Sequence, residues 1–213
     1  MLHLPVDKRG YPVPWFVAWV NGEPEFRAMD PDKWIQAVRF KKCWVCGERL
    51  GRWMTFVAGP MCGINRTSSE PPSHKECAEW SARNCPFLSN PDAIRRQDDL
   101  IANGTTINGF AILRNPKVSM LWTCEDYTVF RDDRGGKLIC MGEPTGGVDW
   151  YASGRKATRE EVMASIDSGL PTLEAMASQE KGGLDHLQKA KERFMKYVPP
   201  EHGGECDRDG HES

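Results

Sequence analysis

The tightest constraint on this chain is a pair of short motifs, Cys43-x2-Cys46 followed by His74-x2-Cys77. A two-residue spacer lets both sulfurs of a tight knuckle point at one ion, and Gly47 suits the turn that follows. Ser73-His-Lys-Glu76 reads as a capping box, whose serine and glutamate satisfy the open amides of a helix start. His74 and Cys77 then stand one turn apart on one helix face. Helix N-terminal amides and the charge of an ion both favour thiolate at Cys77. Three thiolates and one imidazole are a tetrahedral zinc set, and four protein ligands leave no open coordination position, so the expected Zn2+ is structural. The competing reading, in which His74 only helps to start a helix, requires four ligand types to coincide in order with a capping box.

Eight cysteines are present, and five of them crowd between positions 43 and 85 together with His74. Nothing in the sequence points to secretion, so disulfides are disfavoured. Cys62 and Cys85 read as buried thiols, with replacement of one zinc ligand as the alternative. Cys124 and Cys140 lie in strand-like stretches, where a free cysteine usually acts as a small buried hydrophobe.

The remaining pattern is mixed. Trp15-Phe-Val-Ala-Trp-Val20, Asn21-Gly22 and Glu23-Pro-Glu-Phe-Arg27 read as a hairpin with a type I′ turn. Pro24 marks the second strand as an edge. Asp30-Pro31 opens a helix whose apolar face carries Trp34, Ala37 and Val38. Arg52–Ala58 reads as a strand, Gly59-Pro60 as a turn, and Met61–Ile64 as the returning strand. After the helix at 74–83, Asn90-Pro91 opens another that carries Ile94, Leu100 and Ile101. Four strands are expected at 110–113, 119–123, 127–130 and 137–140, with Arg134-Gly135-Gly136 turning the last two, and a fifth at 148–151. Thr158-Arg-Glu-Glu161 is a second capping box for a helix ending near Ser168. Pro171 begins a short helix, and Leu184–Val198 form the last one after Gly182-Gly183. The expected fold is therefore α+β. A treble-clef-like zinc-binding module with a flanking hairpin and helices (1–104) precedes a small antiparallel sheet and C-terminal helices (105–198). An acidic tail follows (199–213), expected to be disordered.

Composition narrows the function. The formal net charge is −2, which removes a global electrostatic argument for nucleic acid or membrane. The longest apolar run, at 15–20, is far short of the roughly 20 residues that span a bilayer. A soluble, cytoplasmic chain is expected. Local charge differs from the average, because Lys33, Arg39, Lys41, Lys42, Arg49, Arg52 and Arg66 face only Asp32 and Glu48. Lys41, Lys42, Arg49, Arg52, Trp53 and Arg66 are accordingly the candidate contacts to nucleic acid or to an acidic protein.

A knuckle, a hairpin, then ligands at a helix start resembles a treble-clef zinc finger. At Cys43-Trp-Val-Cys-Gly47, Gly59-Pro-Met-Cys62, Asn65-Arg66, Glu70-Pro-Pro-Ser-His74, Glu76-Cys-Ala78 and Cys85-Pro-Phe-Leu88 the chain is similar to a group of phage, prophage and proteobacterial proteins. The similarity continues through Arg114-Asn-Pro116 and Gly154-Arg-x-Ala-Thr-Arg159-x-Glu-Val162. It implies a phage or prophage setting, and hence a host protein or nucleic acid as partner; it carries no activity.

Catalytic readings fare worse. An HNH-type nuclease needs a hairpin histidine, and 49–66 contains none. A zinc deaminase needs His-x-Glu with a later Pro-Cys-x-x-Cys; His74-Lys-Glu76 matches, but Cys43-x2-Cys46 comes earlier and follows Lys42. The sequence thus favours a non-enzymatic, zinc-stabilised binding protein over these two alternatives.

Overall fold

A computed structural model describes residues 3–89, 115–132 and 135–201. Its elements are β1 (Val17–Val20), β2 (Glu23–Met29), α1 (Pro31–Phe40), β3 (Met54–Ala58), α2 (Pro60–Asn65), β4 (Thr67–Ser68), α3 (Lys75–Asn84) and α4 (Pro86–Ser89). There follow β5 (Ser119–Cys124), β6 (Tyr127–Arg131), β7 (Lys137–Met141), β8 (Val148–Ala152), β9 (Arg155–Lys156), α5 (Arg159–Ala177) and α6 (Gly183–Met195). The α+β architecture, with an antiparallel sheet leading into C-terminal helices, is as expected. The strand at 110–113, the helix opened at Asn90-Pro91 and the tail beyond 201 lie outside the described residues.

The strands form three antiparallel sheets in the orders β1-β2, β3-β5-β8-β9 and β4-β7-β6. All six residues of β5 are buried, because both faces of this central strand are covered. On one face Leu121 packs with Tyr151 and with Ala78 and Ala82 of α3. On the other, Met120 and Trp122 join Trp150, Ile64, Val162, Ile166 and Phe194 in the main core. Buried indoles need acceptors: Trp34 donates to Ser69 O (2.8 Å), Trp122 to Gly142 O (2.8 Å) and Trp150 to Tyr197 O (2.8 Å). Residue 104 lies outside the described residues; the residues on its two sides share the β3–β5 pairing and this core.

Several local readings hold. Asn21 and Gly22 both take positive φ (50° and 81°), as the hairpin turn requires. Asp30 caps α1 by accepting from the backbone N–H groups of Asp32 and Lys33. Thr158 and Glu161 form the reciprocal capping box of α5.

Four readings need correction. Residues 61–64 do not return as a strand; Pro60 is the first residue of α2, and β3 pairs instead with β5, Met54 opposite Cys124. Gly-Pro fits a helix start as well as a turn, and six residues are too few for periodicity to decide. Pro171 does not start a helix but lies inside α5. An interior proline costs about 3 kcal/mol, and burial of Leu170 and Leu173 on the core offsets it. Ser73 is not the cap of α3: it exchanges both backbone hydrogen bonds with Thr55 (2.9 and 2.8 Å), and His74 occupies the N-cap position with no side-chain cap bond. Cys140 is exposed rather than buried, and its neighbours across the sheet are Thr67 and Thr128.

Candidate metal centre

The knuckle is framed by backbone hydrogen bonds. The Cys43 N–H donates to Glu48 O (2.7 Å), Gly47 N–H to Cys43 O (2.8 Å) and Leu50 N–H to Lys41 O (2.7 Å). Gly47 has φ 78°, and a Cβ there would meet the Trp15 ring at 2.7 Å, so turn geometry and packing both require glycine. The Ser73–Thr55 pairing and the Trp44 N–H bond to Pro72 O (3.0 Å) hold the start of α3 against the knuckle.

These supports bring Cys43, Cys46, His74 and Cys77 together, with their ligand atoms all within 4.8 Å of one another. His74 Nδ1 lies 3.4 Å from Cys46 Sγ and 3.9 Å from Cys77 Sγ. Its other ring nitrogen, Nε2, stands 3.1 Å from the Arg49 carbonyl oxygen. That acceptor fixes the tautomer with a proton on Nε2 and a lone pair on Nδ1, aimed at the sulfurs. The three cysteines are buried amid Leu4, Val45, Leu50 and Met54. The cluster could hold a metal ion.

Its electrostatics favour a cation. A hydrogen bond from Cys77 pulls the Cys43 thiol down to about 4, assisted by backbone N–H groups of Cys46 and His74 and opposed by burial. The same hydrogen bond, with burial and the neighbouring sulfurs, pushes Cys77 far up, and burial raises Cys46. A divalent ion among the sulfurs would offset the burial and sulfur–sulfur repulsion that raise Cys46 and Cys77.

Cys62 and Cys85 are half-buried and lie outside this group of four. The candidate contact residues divide. Arg52 is held by a bidentate pair with Glu125 (2.7 and 3.1 Å) and lies 5.0 Å over the Trp53 ring, which is 41% exposed. Arg66 donates to Met141 O (3.0 and 2.9 Å) and Glu143 (2.6 Å) and stacks on Trp122. Lys42 Nζ sits 5.3 Å over the Trp15 ring. Lys41 and Arg49 are exposed beside the knuckle. Sequence reasoning missed Glu125 and Glu143, whose partners lie more than 70 residues away, and the Arg49 carbonyl, since any residue has one. No helix among the described residues is long and apolar enough to cross a membrane.

Fold and site together define an α+β protein with a Cys3His cluster, suited to one metal ion, at the junction of a knuckle and a helix start. Comparison with protein-family models, curated proteins and solved structures finds no match.

Proposed function

We propose that this is a non-enzymatic, zinc-stabilised binding protein whose partner is another protein. The observation that carries it is the closed donor set. Zinc bonds of about 2.3 Å to sulfur and about 2.0 Å to nitrogen at tetrahedral angles separate sulfur from nitrogen by about 3.5 Å. The 3.4 Å spacing from His74 Nδ1 to Cys46 agrees with that figure, and the 3.9 Å spacing to Cys77 is about 0.4 Å longer. Three thiolates select zinc over magnesium or calcium, which prefer oxygen ligands. Four protein ligands leave no position for water or substrate, so the ion stabilises the fold.

A protein partner is favoured over nucleic acid because Arg52 and Arg66 already serve Glu125 and Glu143, which leaves Lys41, Lys42, Arg49 and Trp53 as the basic and aromatic surface near the knuckle. In the phage or prophage setting implied by the resemblance, the partner belongs to host machinery in the host cytoplasm. Elemental analysis should find one zinc per chain; none would sink the reading. Titration of labelled DNA and RNA should give no salt-dependent affinity, since phosphate binding weakens steeply with salt. Cleavage or deamination of nucleic acid that Glu76→Ala abolishes in a folded, zinc-loaded chain would reinstate the enzyme alternatives.

A further inference from the structure

Natural sheets blunt their open edges with proline, lysine, bulges or very short strands. Most edges here follow that rule. Pro24 lies in β2, and the β1–β2 register is interrupted at Val17/Ala18. The strands β4 and β9 are two residues long, and Ser73 covers Thr55 on the outer side of β3.

Strand β6 does not follow it. Tyr127-Thr-Val-Phe-Arg131 has four strong strand formers followed by an arginine at the end of the β4-β7-β6 sheet, with an unbroken register from Tyr127 opposite Met141 to Arg131 opposite Lys137. The backbone N–H of Asp132 donates to Gly136 O (2.9 Å) and that of Gly142 to Asp126 O (3.1 Å). Antiparallel alternation from those two bonds turns the N–H and C=O groups of Tyr127, Val129 and Arg131 away from β7, toward the side on which no strand pairs among the described residues.

The side chains beside this edge have definite demands. Val129 and Phe130, on opposite faces, are 43% and 40% exposed. Arg131 and Lys137 stand directly opposite each other, a like-charge pair that destabilises a ladder. Arg131 donates to Gly135 O (3.0 Å), and Lys137 lies 6.0 Å from the Trp34 ring centre. Among the described residues no carboxylate pairs with either cation. A strand laid along β6 would place one residue within about 5 Å of each of Val129, Phe130 and Arg131.

We propose that the outer edge of β6 is a docking site for an extended acidic segment of a protein partner, added antiparallel as a fourth strand. Main-chain hydrogen bonds to Tyr127, Val129 and Arg131 supply affinity, and alternate side chains supply selectivity. An acidic residue meets Arg131 and offsets its repulsion with Lys137, while apolar residues meet Phe130 and Val129. This deepens the reading of the chain as a protein-binding protein without depending on the zinc cluster.

The test uses the full chain and a labelled, blocked hexapeptide, Ser-Glu-Phe-Val-Thr-Ser, followed by fluorescence anisotropy. Saturable binding is expected. Val129→Pro removes an outward donor and spares the β6–β7 bonds; it should weaken binding about tenfold or more, the equivalent of one lost hydrogen bond. Arg131→Glu should weaken the glutamate peptide by a similar factor and favour its lysine counterpart, which keeps the test decisive should the proline variant not fold. Three results overturn the proposal: no saturable binding by the folded chain, undiminished binding by both folded variants relative to the unaltered chain, or equal binding of a scrambled peptide. A doubled mass in solution that Val129→Pro returns to monomer would assign the edge to a second copy and also overturn it. Zinc content measured on the same sample separates this failure from failure of the metal reading.

Discussion

The knuckle region and the sheet core are stabilised by different physics. Around Cys43, Cys46, His74 and Cys77 the apolar shell is small, made of Leu4, Val45, Leu50 and Met54 with the cysteines themselves. The sheet core instead buries Phe56, Met120, Trp122, Trp150, Ile166 and Phe194, with Trp122 and Phe194 stacked at 6.4 Å. Large aromatic burial scales with area and needs no ion. A knuckle of ten residues buries little apolar surface to hold its own turns, and a bound ion would substitute for a core. The two regions meet at β3, whose Thr55 bonds both to Ser73 and, through its hydroxyl, to Thr123 (3.0 Å). Opening the knuckle should therefore leave β5 and β8 folded, while loosening the core should not release the metal first.

The largest expected effect is loss of the ion. Zinc binding contributes on the order of 10 kcal/mol to a site of this type. Cys46→Ser or chelation should abolish stoichiometric metal and expose the amides of 41–50 to hydrogen exchange, with β5 amides still protected. Uniform exposure of both regions would break the comparison. Next is Trp122→Ala, which should cost about 3–5 kcal/mol, seen as a lower thermal midpoint with one metal per chain retained.

Thr158→Ala removes one half of the α5 capping box and should cost about 1 kcal/mol, measurable by denaturant titration and absent from metal affinity. Smallest is Glu143→Gln. The Arg66 hydrogen bond holds the Glu143 carboxyl below its ordinary 4.5, with a further bond from Tyr197 and burial opposing. A depressed folded pKa stabilises above the unfolded value, and that gain is lost as the pH falls through the folded one. The pair is solvent-exposed, so the variant should cost under about 1 kcal/mol at neutral pH and nothing below the titration. A loss that persists in acid would mean that packing rather than charge is responsible.

Much of the candidate site was legible because its signals are local. Cys-x2-Cys, His-x2-Cys and Gly47 lie within a few residues of one another in each half, and a thiolate's need for an ion does not depend on the rest of the fold. The same holds for the Asp30 cap, the Asn21-Gly22 turn and the Thr158 box, each a matter of backbone groups within a single turn. Where a local signal failed, packing overrode it: Pro171 stays inside α5 because Leu170 and Leu173 are buried on either side of it, and Ser73 gives up capping for the Thr55 ladder.

Residue type and short-range spacing by themselves determined the α+β composition, the four residues of the Cys3His cluster and most strand positions. Only the tertiary structure decided that β3 pairs with β5 rather than with the segment after it, that Glu125 and Glu143 take up Arg52 and Arg66, and that β6 has no strand on its outer side among the described residues. Those outcomes depend on contacts between residues far apart in the chain. Their energies are sums over many small burials, and no short pattern of residues encodes such a sum.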